Sequence, residues 1–316
     1  MNYKQLLIGF AAYIPGVYRL YSGTGGTNSA RYCYSVWLRH LIMAHRSGLV
    51  ATLPDTVGEL GPGDSLGIGL AALISGVNTY YAFDVVRFAN TQRNSEIFDE
   101  LIELFRQRED IPTKDEFPRI APDVDSHLFP SYILNQEHLK KSLELNRLRS
   151  IRLSLENMST NSGNNPYIRY IVPWTEPGTL VAEDSSVDMV YSQAVLEHVD
   201  DLEFTYKALH RWLKPDGFMS HQIDFTCHGI DSRWNGHWAY SNFAWKLVRG
   251  NRPWFLNRQP YSTHATLLRR LGFTIVDEAV MRDTSGITRG QLAAEFNGFS
   301  DDDVITRAAF VQAVKR

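Results

Sequence analysis

The segment TVGELGPGDSLG, residues 56–67, places an acid, Glu59, just ahead of a sharp break at Gly61, Pro62 and Gly63. Glycine at such a junction lets a ligand approach the main chain more closely than a side chain would allow. Asp84 ends the next apolar run about 20 positions further on, the interval at which a carboxylate reaches a ribose hydroxyl pair in dinucleotide-binding folds. The ligand so implied contains a nucleoside. The spacing Gly61-x-Gly63-x-x-x-Gly67 departs from the dinucleotide fingerprint, and no Walker lysine follows the loop. Glu59 would repel a pyrophosphate but attract an ammonium group. A nucleoside bearing an amino acid satisfies both ends of the site.

A second group of reactive side chains lies in SHQIDFTCHGIDSRWNGHWAY, residues 220–240. His221, His228 and His237 are candidate general bases, histidine being the commonest group for that task. Asp224 would orient or charge one of them. Asp224, His228 and Asp231 could also hold a divalent metal; hydrogen bonding within a polar loop is the simpler reading, and no metal is expected. Trp234, Trp238, Trp245, Trp254 and Tyr240 fit a stacking surface for a sugar face as well as they fit a core.

Elements must position these groups. Residues 56–60 read as a strand, 65–75 as a helix rich in small residues, and 78–86 as a second strand ending in Asp84. That strand–turn–helix–strand unit begins a parallel α/β sheet. The chain then detours over about 87–166. Ile97, Leu101, Leu104 and Phe105 have helical spacing, as do Leu139, Leu143, Leu148, Ile151, Leu155 and Met158, with a proline-rich stretch between and an NSGNNP loop after. A structureless loop of that size is improbable, so the detour reads as a helical insertion. Strands resume at 167–172, 186–193, 218–225, 273–280 and 308–314, with KPDG as a turn before the fifth. Asp200 and Glu203 form a capping-box pattern on the helix that follows the fourth strand.

The N-terminal 50 residues read as a helical extension, with a helix over 29–47, and 51–316 as the main domain carrying the insertion as a cap. Leu6–Tyr18 is apolar but shorter than the roughly 20 residues that span a bilayer, and Pro15-Gly16 interrupts it. With basic neighbours such as Lys4 and Arg19, it could touch the inner face of a membrane or pack on the domain. A net charge of −3 gives no reason to expect nucleic acid as a partner. Two cysteines are too few for a disulfide framework and fit a reducing, cytoplasmic setting.

ELGPGDSLG, Asp84 at a strand end, SSVDMVYSQAVLEHV and LKPDGFMSHQIDF together resemble the class I S-adenosylmethionine-dependent methyltransferases. The resemblance implies a Rossmann-like, mostly parallel seven-stranded sheet and S-adenosylmethionine as cofactor. It places Glu59, Gly61, Pro62 and Gly63 along the methionine part, Asp84 and Val85 at the ribose, and Ser192 and Gln193 near the sulfonium. An acid often follows the third strand in that family; here the stretch is VPWTEP, so Trp174 would stack on adenine or Glu176 would replace the acid. The resemblance also makes Glu197-His198 the start of the helix after strand four, structural or beside the cofactor. The segment from Ser192 to Phe225 is similar to methyltransferases associated with bacterial surface-polysaccharide synthesis, which implies a sugar hydroxyl or other small glycan acceptor. The alternatives are a methyltransferase-like domain that binds cofactor or scaffolds without catalysis, and a nicotinamide oxidoreductase, against which the glycine spacing and Glu59 argue.

Overall fold

The computed structural model describes residues 3–14, 26–159, 167–175 and 182–316. Pro15-Gly16, the NSGNNP loop and Glu176 lie outside them. In chain order the elements are α1 (Tyr3–Ala11), α2 (Ala30–Arg46), β1 (Thr56–Leu60), α3 (Gly67–Ser75), β2 (Thr79–Phe83), α4 (Thr91–Gln107), α5 (Gln136–Ser142), α6 (Leu145–Glu156), β3 (Ile168–Ile171) and β4 (Val187–Gln193). They continue with α7 (Leu202–Trp212), β5 (Leu213–Asp224), α8 (Asn242–Arg249), α9 (Tyr261–Arg270), β6 (Phe273–Arg282), α10 (Asp301–Ile305) and β7 (Thr306–Lys315). The strands form a seven-stranded sheet in the order β3-β2-β1-β4-β5-β7-β6. β1 lies parallel to both β2 and β4, and β2 lies parallel to β3. This is the expected Rossmann-like class I methyltransferase sheet.

The chain divides into two compact units. The larger holds Thr24–Gln193, Leu209–His221 and Gln312–Arg316. Its core is built from α2, α3 and α4 around β1 and β2: Trp37, Leu41, Leu70, Phe98, Leu101 and Phe105 are all fully buried. Burying each such side chain stabilises the fold by about 1.5–3 kcal/mol. α2 is buried along most of its length, and its Arg39 guanidinium is satisfied by the carbonyls of Pro112 and Pro122. α4, in the stretch between β2 and β3, packs on α2 and α3, and α6 packs on α4 and β3. Gly67 and Gly69 let α3 sit close on α2 and β2: a Cβ at Gly67 would collide with the Cys33 sulfur, and one at Gly69 with the Tyr80 ring.

The other unit comprises Ala194–Ala208, Gln222–Val311 and α1. Here α1 packs on α8, and Cys227, Ile230, Tyr240, Trp245, Val248 and Leu256 form a small core. Two local expectations are corrected. α7 starts at Leu202, so Asp201 rather than Asp200 caps it, accepting from the Phe204 N–H at 2.9 Å. Asp200 instead pairs with Arg249 at 2.7 Å, and Glu203 pairs with Lys207 and Arg270. KPDG is not a separate turn: β5 begins at Leu213 and absorbs it, bending where Asp216 takes φ 60°.

Candidate active site

The candidate residues fall into two groups, one in each unit. The first gathers at the carboxyl ends of β3, β2, β1 and β4, where parallel sheets bind ligands. Because these strands run parallel and adjacent, the turn after β1, Asp84 after β2, Trp174 after β3 and Gln193 ending β4 share one edge. Gly61 and Gly63 adopt φ 61° and 74°, left-handed values that glycine takes without a steric penalty. The Gly61 N–H bonds the Phe83 carbonyl at 2.8 Å, tying the turn to the end of β2. Pro62 is buried between them. The Trp174 N–H donates to the Asp84 carbonyl at 3.1 Å, bringing the third strand end to the same place.

The start of α3 offers fewer free donors than a helix N-terminus usually does. The Ser65, Leu66 and Gly67 N–H groups are taken by Thr27 Oγ1, Asn94 Oδ1 and Ser65 Oγ. Main-chain contacts to a ligand therefore fall to the glycine turn itself.

Asp84 is 5% exposed. Its Oδ1 accepts from the Val85 N–H at 2.8 Å, while Oδ2 is buried with no hydrogen-bond partner. Burial raises its pKa to about 6, although the N–H groups of Val85, Val86 and Gly63 pull the other way. Glu59 is buried, and its Oε2 accepts from Tyr80 at 2.5 Å and Tyr191 at 3.2 Å. Burial raises Glu59 to about 8, the two tyrosines opposing and the Asp84 charge adding to the rise. Two carboxyl groups held above their ordinary pKa favour a ligand that brings hydroxyl donors and positive charge. S-adenosylmethionine brings both, and the orphaned Asp84 oxygen beside a left-handed glycine turn fits its ribose.

The neighbouring candidates are tied into the packing of the sheet. Trp174 packs edge-on against Trp212, and Trp212 stacks on Phe83 with centroids 4.3 Å apart. Ser192 and His221 are both fully buried, and Ser192 Oγ bonds His221 Nδ1 at 2.8 Å, linking β4 to β5. Gln193 donates to the Ala121 carbonyl at 3.2 Å.

The second group stands on the turn after β4, the end of β5 and the loop beyond it. Glu197, His198 and His228 each bring one ligand-type atom within 4.8 Å of the other two. Asp224 Oδ2 lies 3.4 Å from His228 Nε2, and Asp224 Oδ1 accepts from the Thr226 N–H at 2.8 Å. His228 has φ 48°, and its ring sits 5.1 Å from that of His198. His198 Nδ1 bonds the Trp254 carbonyl at 3.0 Å. Asn257 pins the turn, its Nδ2 donating to the carbonyls of Leu196 and Val199 and its N–H to that of Glu197.

Burial, then the charge of Asp224, hold Glu197 well above the carboxylate range. Burial, then His228, lower His198 to about 4. Burial pushes Asp224 up, but its bond to His228, the charge of His228 and the Thr226 contacts outweigh it, and the net shift is downward. His237 stands apart: it is buried beside Trp238 and Trp245, and burial followed by Arg258 lowers it to about 3.

The grouping differs from the sequence expectation. Asp231 is turned to the Tyr240 hydroxyl and the Arg233 N–H, so it bolts the loop rather than joining Asp224 and His228. Glu197 and His198, read as structural or beside the cofactor, take its place. Their signal was the LEHV motif itself, but only the fold reveals that His228 returns to it. Of the tryptophan cluster, Trp238 and Trp245 are core, Trp234 is half-buried and Trp254 is 36% exposed.

Residues 141–220 match the family model described as a methyltransferase domain. A search of curated proteins gives no match. Among solved structures, a methyltransferase from Methanosarcina mazei is similar at 13% identity and TM-score 0.44, covering 86% of this chain and 96% of its own. One from Mesorhizobium loti gives 12% identity and TM-score 0.41, with coverage of 85% and 94%. A phosphoethanolamine N-methyltransferase from Haemonchus contortus, in complex with S-adenosyl-L-methionine, gives 15% and 0.41, with coverage of 88% and 52%. The domain match, on a sheet of this order with the glycine turn and Asp84 at its edge, supports S-adenosylmethionine-dependent methyltransferase activity.

Proposed function

We propose that the protein methylates a hydroxyl of a small acceptor, a sugar of a bacterial glycan or its precursor. The observation that carries the proposal is the Asp224–His228 pair at 3.4 Å, partly open to solvent in a histidine-rich loop. A hydroxyl is a poor nucleophile, and a positioned base contributes about 10²–10⁴-fold by removing its proton during attack. When bound, S-adenosylmethionine supplies an electrophilic methyl group on a sulfonium. Asp84 and Val85 hold the ribose, Glu59 and the Gly61–Pro62–Gly63 turn hold the amino-acid end, Trp174 borders the adenine, and Ser192 and Gln193 border the sulfonium. Asp224, paired with His228, accepts the acceptor's proton. His221 and His237 rank below them, because both are almost wholly enclosed. The partly exposed Trp254 offers an aromatic face of the kind that packs on sugar rings.

The acceptor contact extends to the membrane in this reading. α1 exposes Leu7 and Phe10, with Tyr13 and Ile14 exposed just beyond it, an apolar face suited to peripheral contact. Among the described residues no helix is long and apolar enough to cross a bilayer. The test is formation of S-adenosylhomocysteine with panels of sugar nucleotides, oligosaccharides, amines and carboxylic acids. Product with hydroxyl-bearing sugars supports the proposal; turnover confined to amines or carboxylic acids overturns it.

A further inference from the structure

Glu197 presents an anomaly that the proposed reaction does not absorb. It is 2% exposed, and neither carboxylate oxygen has a hydrogen-bond partner. The main-chain N–H groups of Glu197 and Asp224 are close enough to influence it but form no hydrogen bond of acceptable geometry. Leaving one buried polar group unmade costs about 1–3 kcal/mol, and more if it is charged. Protonation does not remove the problem, since a carboxylic acid still has a donor and an acceptor to satisfy.

The surroundings supply what a cation needs. We propose that Glu197, His198 and His228 form a site for a divalent first-row transition ion such as Zn²⁺ or Mn²⁺. Two imidazoles and one carboxylate are a donor set that suits these ions rather than Ca²⁺. The bond from His198 Nδ1 to the Trp254 carbonyl fixes the ring and leaves the Nε2 lone pair to bind, the arrangement common behind metal-bound histidines. Asp224 does the same for His228 from the other side, and Asn257 fixes the turn carrying Glu197 and His198. Burial grades from enclosed Glu197 through half-buried His198 to exposed His228, which gives an ion a way in. Three protein ligands leave a position open, the pattern of catalytic rather than structural sites.

The site stands on its own geometry; only its role rests on the proposed reaction. There, an acceptor hydroxyl in the open position is acidified by the ion and passes its proton to Asp224, which is not one of the three ligands. The oxygen that keeps the electron pair then accepts the methyl group, and the donor leaves as the neutral thioether.

The test uses the full chain, stripped with EDTA and titrated with Zn²⁺, and with Co²⁺ as a spectroscopic probe. The expected result is one equivalent bound with visible Co²⁺ d–d bands. Glu197→Gln, close in shape to the native side chain, and His228→Ala should each weaken binding at least tenfold. Asp84→Asn should leave it intact while losing cofactor affinity, so failure of the metal site and failure of the cofactor reading give different patterns. No bound equivalent in the folded wild-type chain, or unchanged affinity and Co²⁺ spectrum in both ligand variants, overturns the proposal.

Discussion

The two buried acids Glu59 and Glu197 are in the same chemical predicament and are treated differently. Glu59 sits on β1 in the larger core, between two tyrosine hydroxyls that donate to one of its oxygens. Glu197 stands on a turn, equally buried, with no donor on either oxygen. The first arrangement is a carboxyl held ready by protein groups, leaving the orphaned Asp84 oxygen beside the glycine turn for a ligand. The second leaves the whole carboxylate for something the chain does not itself provide. One region is preorganised by strands and the other by a loop that must pass through a left-handed residue, His228, to bring its imidazole round.

Four experiments put this contrast at risk. The largest effect belongs to the loop: His228→Ala should lower turnover by about 10²-fold or more, the range of a lost proton-transfer group. Isothermal titration should find its affinity for S-adenosylhomocysteine unchanged; loss of cofactor binding would erase the division of labour. Next, Asp84→Asn should weaken cofactor binding by about 10–100-fold, the value of one hydrogen bond to a charged group of about 1.5–3 kcal/mol. Asn257→Ala should destabilise the chain by about 1–2 kcal/mol in urea unfolding, through the two lost side-chain bonds to the Leu196 and Val199 carbonyls, without changing cofactor affinity.

The smallest effect concerns pH. A cationic ligand prefers Glu59 ionised, and the free protein holds its pKa near 8. Cofactor affinity should therefore rise several-fold from pH 6.5 to 8, and Glu59→Gln should flatten that rise. The stability linkage has the opposite sign. A carboxyl raised in the folded state favours folding while protonated, so its contribution is complete below the unfolded pKa and is lost as pH climbs from about 4.5 towards 8. Urea unfolding of the ligand-free chain across that window, compared with Glu59→Gln, reads it directly.

The rigid region was legible in the sequence because its signals are local. A five-residue apolar strand, a glycine turn and an acid at the end of the next strand fix one another through chain geometry alone. The parallel order β3-β2-β1-β4 then follows from the connections. The loop region was not legible to the same degree, because its grouping depends on where a long excursion returns. His228 and Asp231 look interchangeable in sequence, yet Tyr240 and Arg233 claim Asp231 and leave His228 to meet His198. The tryptophans were ambiguous for the same reason: composition gives aromatic mass, and only packing decides that Trp238 is core while Trp254 is partly open. Asp200 and Asp201 show the finest limit, since a one-residue shift of the start of α7 exchanges a helix cap for an ion pair.

The central claim is that Glu59 and Asp84 wait, with raised pKa, for a cationic nucleoside. Calorimetric titration of the wild-type chain with S-adenosylmethionine at pH 7, in buffers of different ionisation enthalpy, tests it most directly. Binding at one site per chain with net release of protons, weakened by about 10–100-fold in Asp84→Asn, is the expected result. No measurable heat, or binding without proton release that Asp84→Asn leaves untouched, would contradict it.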